Sequence, residues 1–296
     1  MTIATPTFGG RLAAKFVAGR HLCAGIDPHE ALLAEWGVAD DAAGAERMGR
    51  DVVAAAAGVA ACVKPQIALF ERFGSAGFAA LERVFADARE AGLLVVADVK
   101  RGDIGSTFAA YANAWLTPGA PLEADAMTVV AYQGFESLSG AFGHVEDHGK
   151  GLFVLAATSN PEAREVQRAV RADGRTVAAA MVADAEAWNA AHQAARVSAG
   201  AAADSVGSIG VVLGATLDLA DFDIATGERP AGPALPVLAP GFGHQGARIE
   251  DAHRIFGGID QALLANESRS ILRGGPTGLA IRIEERAAAI RGALAQ

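Results

Sequence analysis

The chain has 296 residues, 51% of them hydrophobic and 20% charged, so it can bury a large core and is too apolar to be disordered. Its formal net charge of -9 argues against nucleic acid or an anionic membrane as a partner. No apolar run is long enough to span a membrane, and residues 1–20 lack the features of a secretory signal. Cys23 and Cys62 lie in apolar stretches, which predicts buried thiols in a reducing compartment. We therefore expect a cytoplasmic protein.

Eight short apolar runs with the character of β-strands recur along the chain, and helical stretches separate them. The predicted strands are residues 21–27, 61–67, 93–99, 126–132, 151–158, 208–216, 235–241 and 261–268. Segments between them, such as 44–60 and 77–92, place apolar residues at helical spacing. Eight strand–helix repeats over this length predict an α/β fold, the (β/α)8 TIM barrel. The alternative is an open doubly wound sheet, but "GIDPHE" after the first strand lacks the glycine-rich turn that such a sheet more often carries.

The remaining segments fit a single barrel domain over residues 1–296. Residues 9–20 and 279–296 predict extra helices at the N-terminal and C-terminal sides of the eight repeats. The connection after the fifth strand is long for one crossover and predicts an extended helix over residues 176–197. Residues 217–236 also exceed a minimal helix and predict an irregular loop.

Polar side chains collect at the C-terminal ends of the predicted strands. In a TIM barrel these ends surround the active site, whichever reaction the enzyme performs. The residues concerned are Asp27 at the first strand, Lys64 and Gln66 in the second, Asp98 and Lys100 at the third, Thr158 and Ser159 at the fifth, and the segments "PGFGHQG" and "ESRS" at the seventh and eighth. The sequence therefore predicts one functional rim built from several strands.

The stretch "VVADVKRGDIGST" turns from apolar to charged within a few residues. Asp98 and Lys100 are two residues apart, so on a strand they share one face while Val99 points the other way. Asp103 lies beyond the strand end, where it can turn back or reach a neighbouring subunit. An ammonium about 4 Å from a carboxylate gains on the order of 4 kcal/mol at an effective dielectric of about 20. The pattern favours an array of charges that holds Lys100 protonated over a cluster of surface ion pairs.

A second group of residues, "APGFGHQGAR", follows the seventh strand. Its glycines, Gly241, Gly243 and Gly246, let the backbone approach a ligand closely, and amides at a following helix start can hold an anion. Loops after the seventh and eighth strands are the usual phosphate site of this barrel. Arg269, at the end of the eighth strand, can add a bidentate contact. These residues predict a phosphate-binding site.

The histidines do not predict a metal site. His144 and His148 have the helical spacing of a metal-binding pair, but the glutamate of an HExxH motif is missing. The other histidines have no acidic or thiol partners at ligand spacing. We therefore predict no metal ligand in this chain.

Taken together, these residues resemble the orotidine 5'-phosphate decarboxylase family. The similarity rests on "ADVKRGDIGST", which matches the family's Asp-x-Lys-x-x-Asp-Ile signature, and on "VKPQIALFE", "GIDP", "PGFGHQG" and "SRSI". It extends from the first predicted strand to the last. The segment "KPQIALFERFG" and the length of the chain resemble the longer bacterial subgroup of the family.

The resemblance implies that the protein converts orotidine 5'-monophosphate to UMP and CO2 in pyrimidine synthesis, as a homodimer without a metal or organic cofactor. It also implies a charge network in which Lys100 stabilises a carbanion at C6 and donates the proton. The other members of this network are Asp98, Asp103 and Lys64.

The same resemblance implies which residues bind the substrate. Asp27 and Lys64 would bind ribose hydroxyls, while Gln245, amides around Gly243, and Arg269 would bind the phosphate. Asp103, Ile104 and Thr107 would enter the partner subunit's site. The contact with the pyrimidine edge is left open among Thr158, Ser159 and Asn160, because the segment after the fifth strand is "ATSNP".

Two other functions compete with this interpretation. One is a Mg²⁺-dependent phosphosugar decarboxylase or aldolase on the same barrel, which needs a further acidic ligand at a strand end. Lys64 occupies the second-strand position, and its cation disfavours a metal. The other is a non-catalytic protein that binds nucleotide phosphates, which would not need Lys100 and Asp103 together.

Overall fold

The chain forms a closed barrel of eight strands that pair in sequence order, with β8 returning to β1. The structure is a computed structural model that describes residues 6–229 and 231–295. The strands are β1 (Leu22–Ile26), β2 (Cys62–Pro65), β3 (Leu94–Arg101), β4 (Ala126–Val129), β5 (Gly151–Ala157), β6 (Ile209–Leu213), β7 (Val237–Pro240) and β8 (Leu263–Glu267). Every strand falls in a predicted range, although β3 runs two residues further. The predicted TIM barrel is confirmed, and the open-sheet alternative is wrong.

Helices connect the strands, and they are α1 (Phe8–Val17), α2 (Glu30–Glu35), α3 (Ala42–Ala56), α4 (Ala68–Glu71), α5 (Gly74–Glu90), α6 (Gly105–Leu116), α7 (Phe142–His148), α8 (Ala163–Gln167), α9 (Val177–Ser198), α10 (Ala252–Phe256), α11 (Arg269–Leu272) and α12 (Leu279–Leu294). Short 3-10 helices span Phe135–Ala141, Leu219–Phe222, Gly243–Gln245, Ile249–Asp251 and Gly257–Ala262. The predicted extra helices are α1 and α12, and the predicted extended helix is α9. Part of the predicted irregular loop, at Pro230, lies outside the described residues. Across the described ranges, no helix has both the length and the apolar character needed to cross a membrane.

Side chains of β3 alternate between the barrel interior and the layer beneath the helices. Leu94 and Val96 belong to the interior cluster, whereas Val95 and Ala97 belong to the larger core under the helices. Asp98 continues the interior series. The strand therefore delivers a carboxylate to the inside of the barrel at its C-terminal end, as its two-residue period predicts.

Helix α1 closes the opposite, N-terminal end of the barrel. Phe8 and Leu12 are fully buried in the interior cluster. The ring of Phe8 meets that of Phe153 edge-on, with 5.9 Å between ring centroids. Gly151 leaves room for the Phe8 ring, because a Cβ at this glycine would lie 2.4 Å from a ring carbon. The C-terminal end is thus the open end, where a ligand can enter.

We expect Phe8→Ala to lower the free energy of unfolding by about 3–5 kcal/mol, because it removes apolar burial and leaves a cavity. The matched control on the same helix is Val17→Ala, whose side chain is 91% exposed. This control should change stability by less than about 0.5 kcal/mol. Urea denaturation followed by circular dichroism measures both. Equal losses in the two variants would contradict a sealing role for the first turn of α1.

Candidate active site

The carboxylate of Asp98 lies between two lysine ammonium groups at the C-terminal ends of β2 and β3. Its Oδ2 accepts a hydrogen bond from Lys64 Nζ at 2.7 Å, and its Oδ1 accepts one from Lys100 Nζ at 2.6 Å. The hydroxyl of Thr128 on β4 also donates to Oδ1, at 2.8 Å. Lys100 Nζ donates a longer hydrogen bond, 3.3 Å, to Gln66 Oε1. Three of the four predicted catalytic residues therefore meet on adjacent strands.

Burial and charge act in opposite directions on this array. Desolvation is the largest influence on Asp98 and opposes its ionisation, but Lys64 and Lys100 outweigh it and hold the pKa of Asp98 well below its usual range. Desolvation likewise opposes the charge of Lys64, yet Asp98 and Asp27 raise the pKa of Lys64 above its ordinary value. The Lys64 and Asp98 side chains are 7% and 8% exposed, and that of Lys100 is 44% exposed. Lys100 is thus the charge in this array that a ligand can reach.

The backbone of β3 is irregular where it carries Lys100. The register between β3 and β4 shifts between Ala97 and Arg101. Lys100 has a φ of 46°, and it is one of two non-glycine residues with positive φ in the described part of the chain. Such a conformation costs of order 1–3 kcal/mol and persists where its surroundings enforce it. Gly102 follows, and a Cβ there would lie 2.2 Å from Val130 O, so the turn after the strand requires glycine.

A pocket beside the charge array is formed by the ends of β1, β7 and β8. Its lining residues include Asp27, Gly241, His244, Gln245, Ser268 and Arg269. Oδ1 of Asp27 is buried and has no hydrogen-bond partner, and Asp27 is near enough to Lys64 to raise the pKa of that lysine. A ligand hydroxyl can satisfy this oxygen. Asp27 therefore connects the charge array to the loop predicted to bind phosphate.

The loop after β7 has the backbone that its glycines predict. The φ angles are 121° at Gly241, 69° at Gly243 and 106° at Gly246. Desolvation lowers the pKa of His244 in this loop, and the charges of Arg269 and Arg273 lower it further. The loop thus lies in a region of positive potential, which suits a phosphate dianion.

A buried ion pair between Glu267 and Arg286 lies next to this loop. Both oxygens of Glu267, the last residue of β8, accept hydrogen bonds from Arg286 of α12, the shortest at 2.6 Å. Glu267 Oε2 also accepts a hydrogen bond from the Ser270 hydroxyl at 2.5 Å. A Cβ at Gly243 would lie 3.2 Å from the same oxygen. The C-terminal helix is therefore tied to the start of α11 and to the glycine loop.

Thr158 and Ser159 follow β5 on the same rim. The described residues that line the pocket with Asp27 do not include either of them. The Thr158 hydroxyl donates to Asn160 Oδ1 at 2.8 Å and accepts from Gln167 Nε2 at 2.9 Å. The Thr158 amide donates to Gln167 Oε1 at 2.9 Å. Ser159 is exposed. Helix α8 thus fixes Thr158 and leaves Ser159 at the surface of the rim.

Across the described residues, no hydrogen bond or ion pair joins the segment after β3 to the charge array of its own chain. The carboxylate of Asp103 accepts a hydrogen bond from the Ile104 amide at 2.8 Å and forms no ion pair with any residue in 6–229 or 231–295. Ile104 is 59% exposed and Thr107 is exposed as well. Within one chain, these three predicted residues therefore stay apart from the other site residues.

Sequence reasoning missed three residues that hold the site together. Thr128 lies in an apolar strand, where threonine is ordinary and carries no signal. Gln167 and Arg286 lie on helices and contact Thr158 and Glu267, which lie 9 and 19 positions earlier on other elements. Over the described residues, no group of three His, Cys, Asp or Glu side chains is arranged to hold a metal ion.

Comparison with known proteins gives consistent matches. The model of the orotidine 5'-phosphate decarboxylase / HUMPS family matches residues 20–281. An orotidine 5'-phosphate decarboxylase of Streptomyces coelicolor is 50% identical over 276 residues, which are 93% of each chain. The structure of Leishmania donovani OMP decarboxylase is 30% identical, with a TM-score of 0.72, and the match covers 97% of this chain and 99% of that one. A crystal structure of a candidate orotidine 5'-phosphate decarboxylase from Streptomyces avermitilis is 47% identical, with a TM-score of 0.88 and coverage of 99% and 98%.

The buried pair of Glu267 and Arg286 predicts a large effect of Arg286→Met. This change leaves the Glu267 carboxylate, which is 0% exposed, without its cation. We expect a loss of free energy of unfolding near the lower end of the roughly 3–5 kcal/mol typical of broken buried pairs, because the Arg286 side chain is itself 29% exposed. The double variant Glu267→Gln, Arg286→Met should recover part of this loss. Arg83→Met, which breaks an exposed pair with Glu46, is the control and should cost much less in the same urea titration.

Proposed function

Because the chain belongs to the orotidine 5'-phosphate decarboxylase / HUMPS family, we propose that it converts orotidine 5'-monophosphate to UMP and CO2 in pyrimidine synthesis. One observation carries the proposal. The partly exposed ammonium of Lys100 lies 2.6 Å from the buried carboxylate of Asp98, at the rim that also carries the glycine loop and Arg269. A fixed cation and a candidate phosphate site on one rim match this reaction.

The phosphate and ribose bind at the end of the site formed by β1, β7 and β8. Gln245, the amides around Gly243, and the guanidinium of Arg269 bind the phosphate dianion in the positive region of the loop. Asp27 binds a ribose hydroxyl through its unpartnered oxygen, and Lys64 binds a second hydroxyl. The sugar thus spans the distance between the phosphate and Lys100.

The pyrimidine contact belongs to Ser159. The hydroxyl of Thr158 already donates to Asn160 and accepts from Gln167, so its proton is committed. Ser159 is exposed on the same loop, and within residues 6–229 and 231–295 no group forms a hydrogen bond with its hydroxyl, so this hydroxyl can turn to a ligand. This choice among the three residues rests on the hydrogen-bond inventory of the loop.

Decarboxylation breaks the bond between C6 and its carboxylate, so the electron pair stays on C6 as CO2 leaves. No ring position delocalises this pair well, and stabilisation must come from a fixed positive charge nearby. The Lys100 ammonium provides this charge and then transfers a proton to C6. The neutral amine regains its proton from water. Asp98, next to the leaving carboxylate, raises the energy of the bound substrate. The scheme requires no metal or organic cofactor.

In a homodimer with shared active sites, the segment after β3 contributes to the site of the partner subunit. Among the residues that the structure describes, Asp103 has no cation partner, and Ile104 and Thr107 are exposed beside it. We assign these residues to the site of the partner subunit, where Asp103 adds a second carboxylate near Lys100. We also place the enzyme in the cytoplasm, which accords with the free, buried thiols of Cys23 and Cys62.

Turnover tests the proposal directly. We expect the EDTA-treated wild-type protein to consume orotidine 5'-monophosphate, measured as the fall in its absorbance. Lys100→Ala should lower kcat at least about a thousandfold, because it removes both the fixed charge and the proton donor. The control is Lys15→Ala, since the Lys15 ammonium donates to Gly92 O at the closed end of the barrel, away from the charge array. A wild-type protein that is inactive in EDTA and active with Mg²⁺ would instead favour the phosphosugar class of enzyme.

Subunit mixing tests the shared site. Lys100→Ala and Asp103→Ala homodimers should each be inactive. After subunit exchange, half of the dimers are mixed and each has one intact site, so about a quarter of the wild-type activity should return. Mixing Lys100→Ala with Asp98→Asn is the control, because both changes then act in the site of their own chain. No recovery in the first mixture, or equal recovery in both, would contradict the shared site.

A further inference from the structure

We propose that Thr128 is a positioning residue that locks the backbone of Lys100 and the carboxylate of Asp98 into one geometry through a single hydroxyl. The inference rests on the proposed function, since it concerns how the proton donor of that reaction is aimed. Thr128 is 1% exposed, lies on β4 and has no direct access to solvent. Its importance lies in the two hydrogen bonds that its hydroxyl makes.

The irregular backbone of β3 takes the Lys100 amide away from its backbone acceptor on β4, and the Thr128 hydroxyl accepts its hydrogen bond instead. In a regular parallel ladder, an amide of β3 donates to a backbone carbonyl of β4. The register shift between Ala97 and Arg101 and the positive φ of Lys100 take the Lys100 amide out of that ladder. Its hydrogen bond goes instead to Thr128 Oγ1 at 2.9 Å. The side chain of β4 thus replaces the missing backbone acceptor.

The same hydroxyl must donate to Asp98. A threonine hydroxyl has one proton and two lone pairs. One lone pair accepts the Lys100 amide, and the proton goes to Asp98 Oδ1 at 2.8 Å. Both partners are fixed in polarity, because an amide only donates and an ionised carboxylate only accepts. The hydroxyl is therefore held in one rotamer.

This arrangement also fixes the plane of the Asp98 carboxylate. The terminal torsion of an aspartate is broad, so a carboxylate held at one oxygen can still rotate. Here Lys64 holds Oδ2 at 2.7 Å, while Thr128 holds Oδ1 beside the Lys100 ammonium. Because Thr128 also holds the Lys100 backbone, the carboxylate and the lysine move as one unit. The direction of the Lys100 side chain depends on this unit.

The test compares two substitutions of similar size. Thr128→Val keeps the shape and removes the hydroxyl, whereas Thr128→Ser keeps the hydroxyl and removes a methyl group. We expect Thr128→Val to lower kcat about ten- to a hundredfold, while KM stays within about threefold because Thr128 does not touch the phosphate pocket. Thr128→Ser should retain kcat within about threefold, even though it loses buried apolar area.

The control for general loosening of the barrel is Thr176→Val. Thr176 is a second buried threonine, 4% exposed, whose hydroxyl donates to Phe222 O and caps α9. This variant should lose stability and keep kcat. If it loses as much kcat as Thr128→Val, or if Thr128→Ser loses as much as Thr128→Val, the proposal is overturned. If Thr128→Val does not fold, Thr128→Ala takes its place under the same criteria.

Amide hydrogen exchange at Lys100, measured by NMR, separates this inference from the proposed function. We expect the Lys100 amide to exchange at least about tenfold faster in Thr128→Val than in the wild type or in Thr128→Ser. Unchanged exchange overturns the inference, whatever the kinetics. A wild-type protein that does not decarboxylate the substrate overturns the proposed function, and the exchange data still decide whether Thr128 holds Lys100.

Discussion

Asp98 carries a buried carboxylate, and an unpaired charge at such a position costs several kcal/mol to desolvate. Lys64 and Lys100 supply the counter-charges, at 2.7 Å and 2.6 Å. Two ammonium groups against one carboxylate leave one positive charge in the group. That surplus is available to a negative ligand only at Lys100, because Lys64 is buried behind Asp98. The Asp98 carboxylate thus determines where the charge of this lysine pair can act.

The site has two ends, and the barrel sets the separation between them. Parallel strands deliver Asp27 from β1 and Arg269 after β8 to the pocket, while β2 and β3 deliver the lysines. Asp27 lies near enough to Lys64 to raise the pKa of that lysine, and it also lines the pocket, so it links the two ends. With such an arrangement, binding energy from a distant phosphate can be used to orient a reacting base. The Glu267 and Arg286 pair then ties the C-terminal helix to the end where we propose that the phosphate binds.

The sequence pattern was sufficient to predict the barrel. Each strand is a short apolar run, and the segments between the strands place apolar residues at helical spacing. The pattern also predicted that Asp98 and Lys100 act together, since a two-residue period brings them to one face. The irregularity of β3, where Lys100 has a positive φ, could not be predicted from the sequence. Neither Val99 nor Lys100 is a residue type that indicates a shift of register. The contact between Arg286 and Glu267 could not be predicted from the sequence either, since Glu267 lies 19 positions earlier in the chain, on another element. Contacts that depend on how elements dock have no local pattern.

The segment after β3 shows how local backbone can decide where a charge goes. In Asp-x-Lys-x-x-Asp the lysine can attract both carboxylates, but on a continuing strand Lys100 and Asp103 would lie on opposite faces. The chain instead leaves the strand through the positive φ of Lys100 and the tight passage of Gly102 past Val130 O. The Asp103 carboxylate then accepts a hydrogen bond from the Ile104 amide, next to the exposed side chain of Ile104. A carboxylate presented beside an exposed isoleucine suits contact with a second subunit better than a solvated loop.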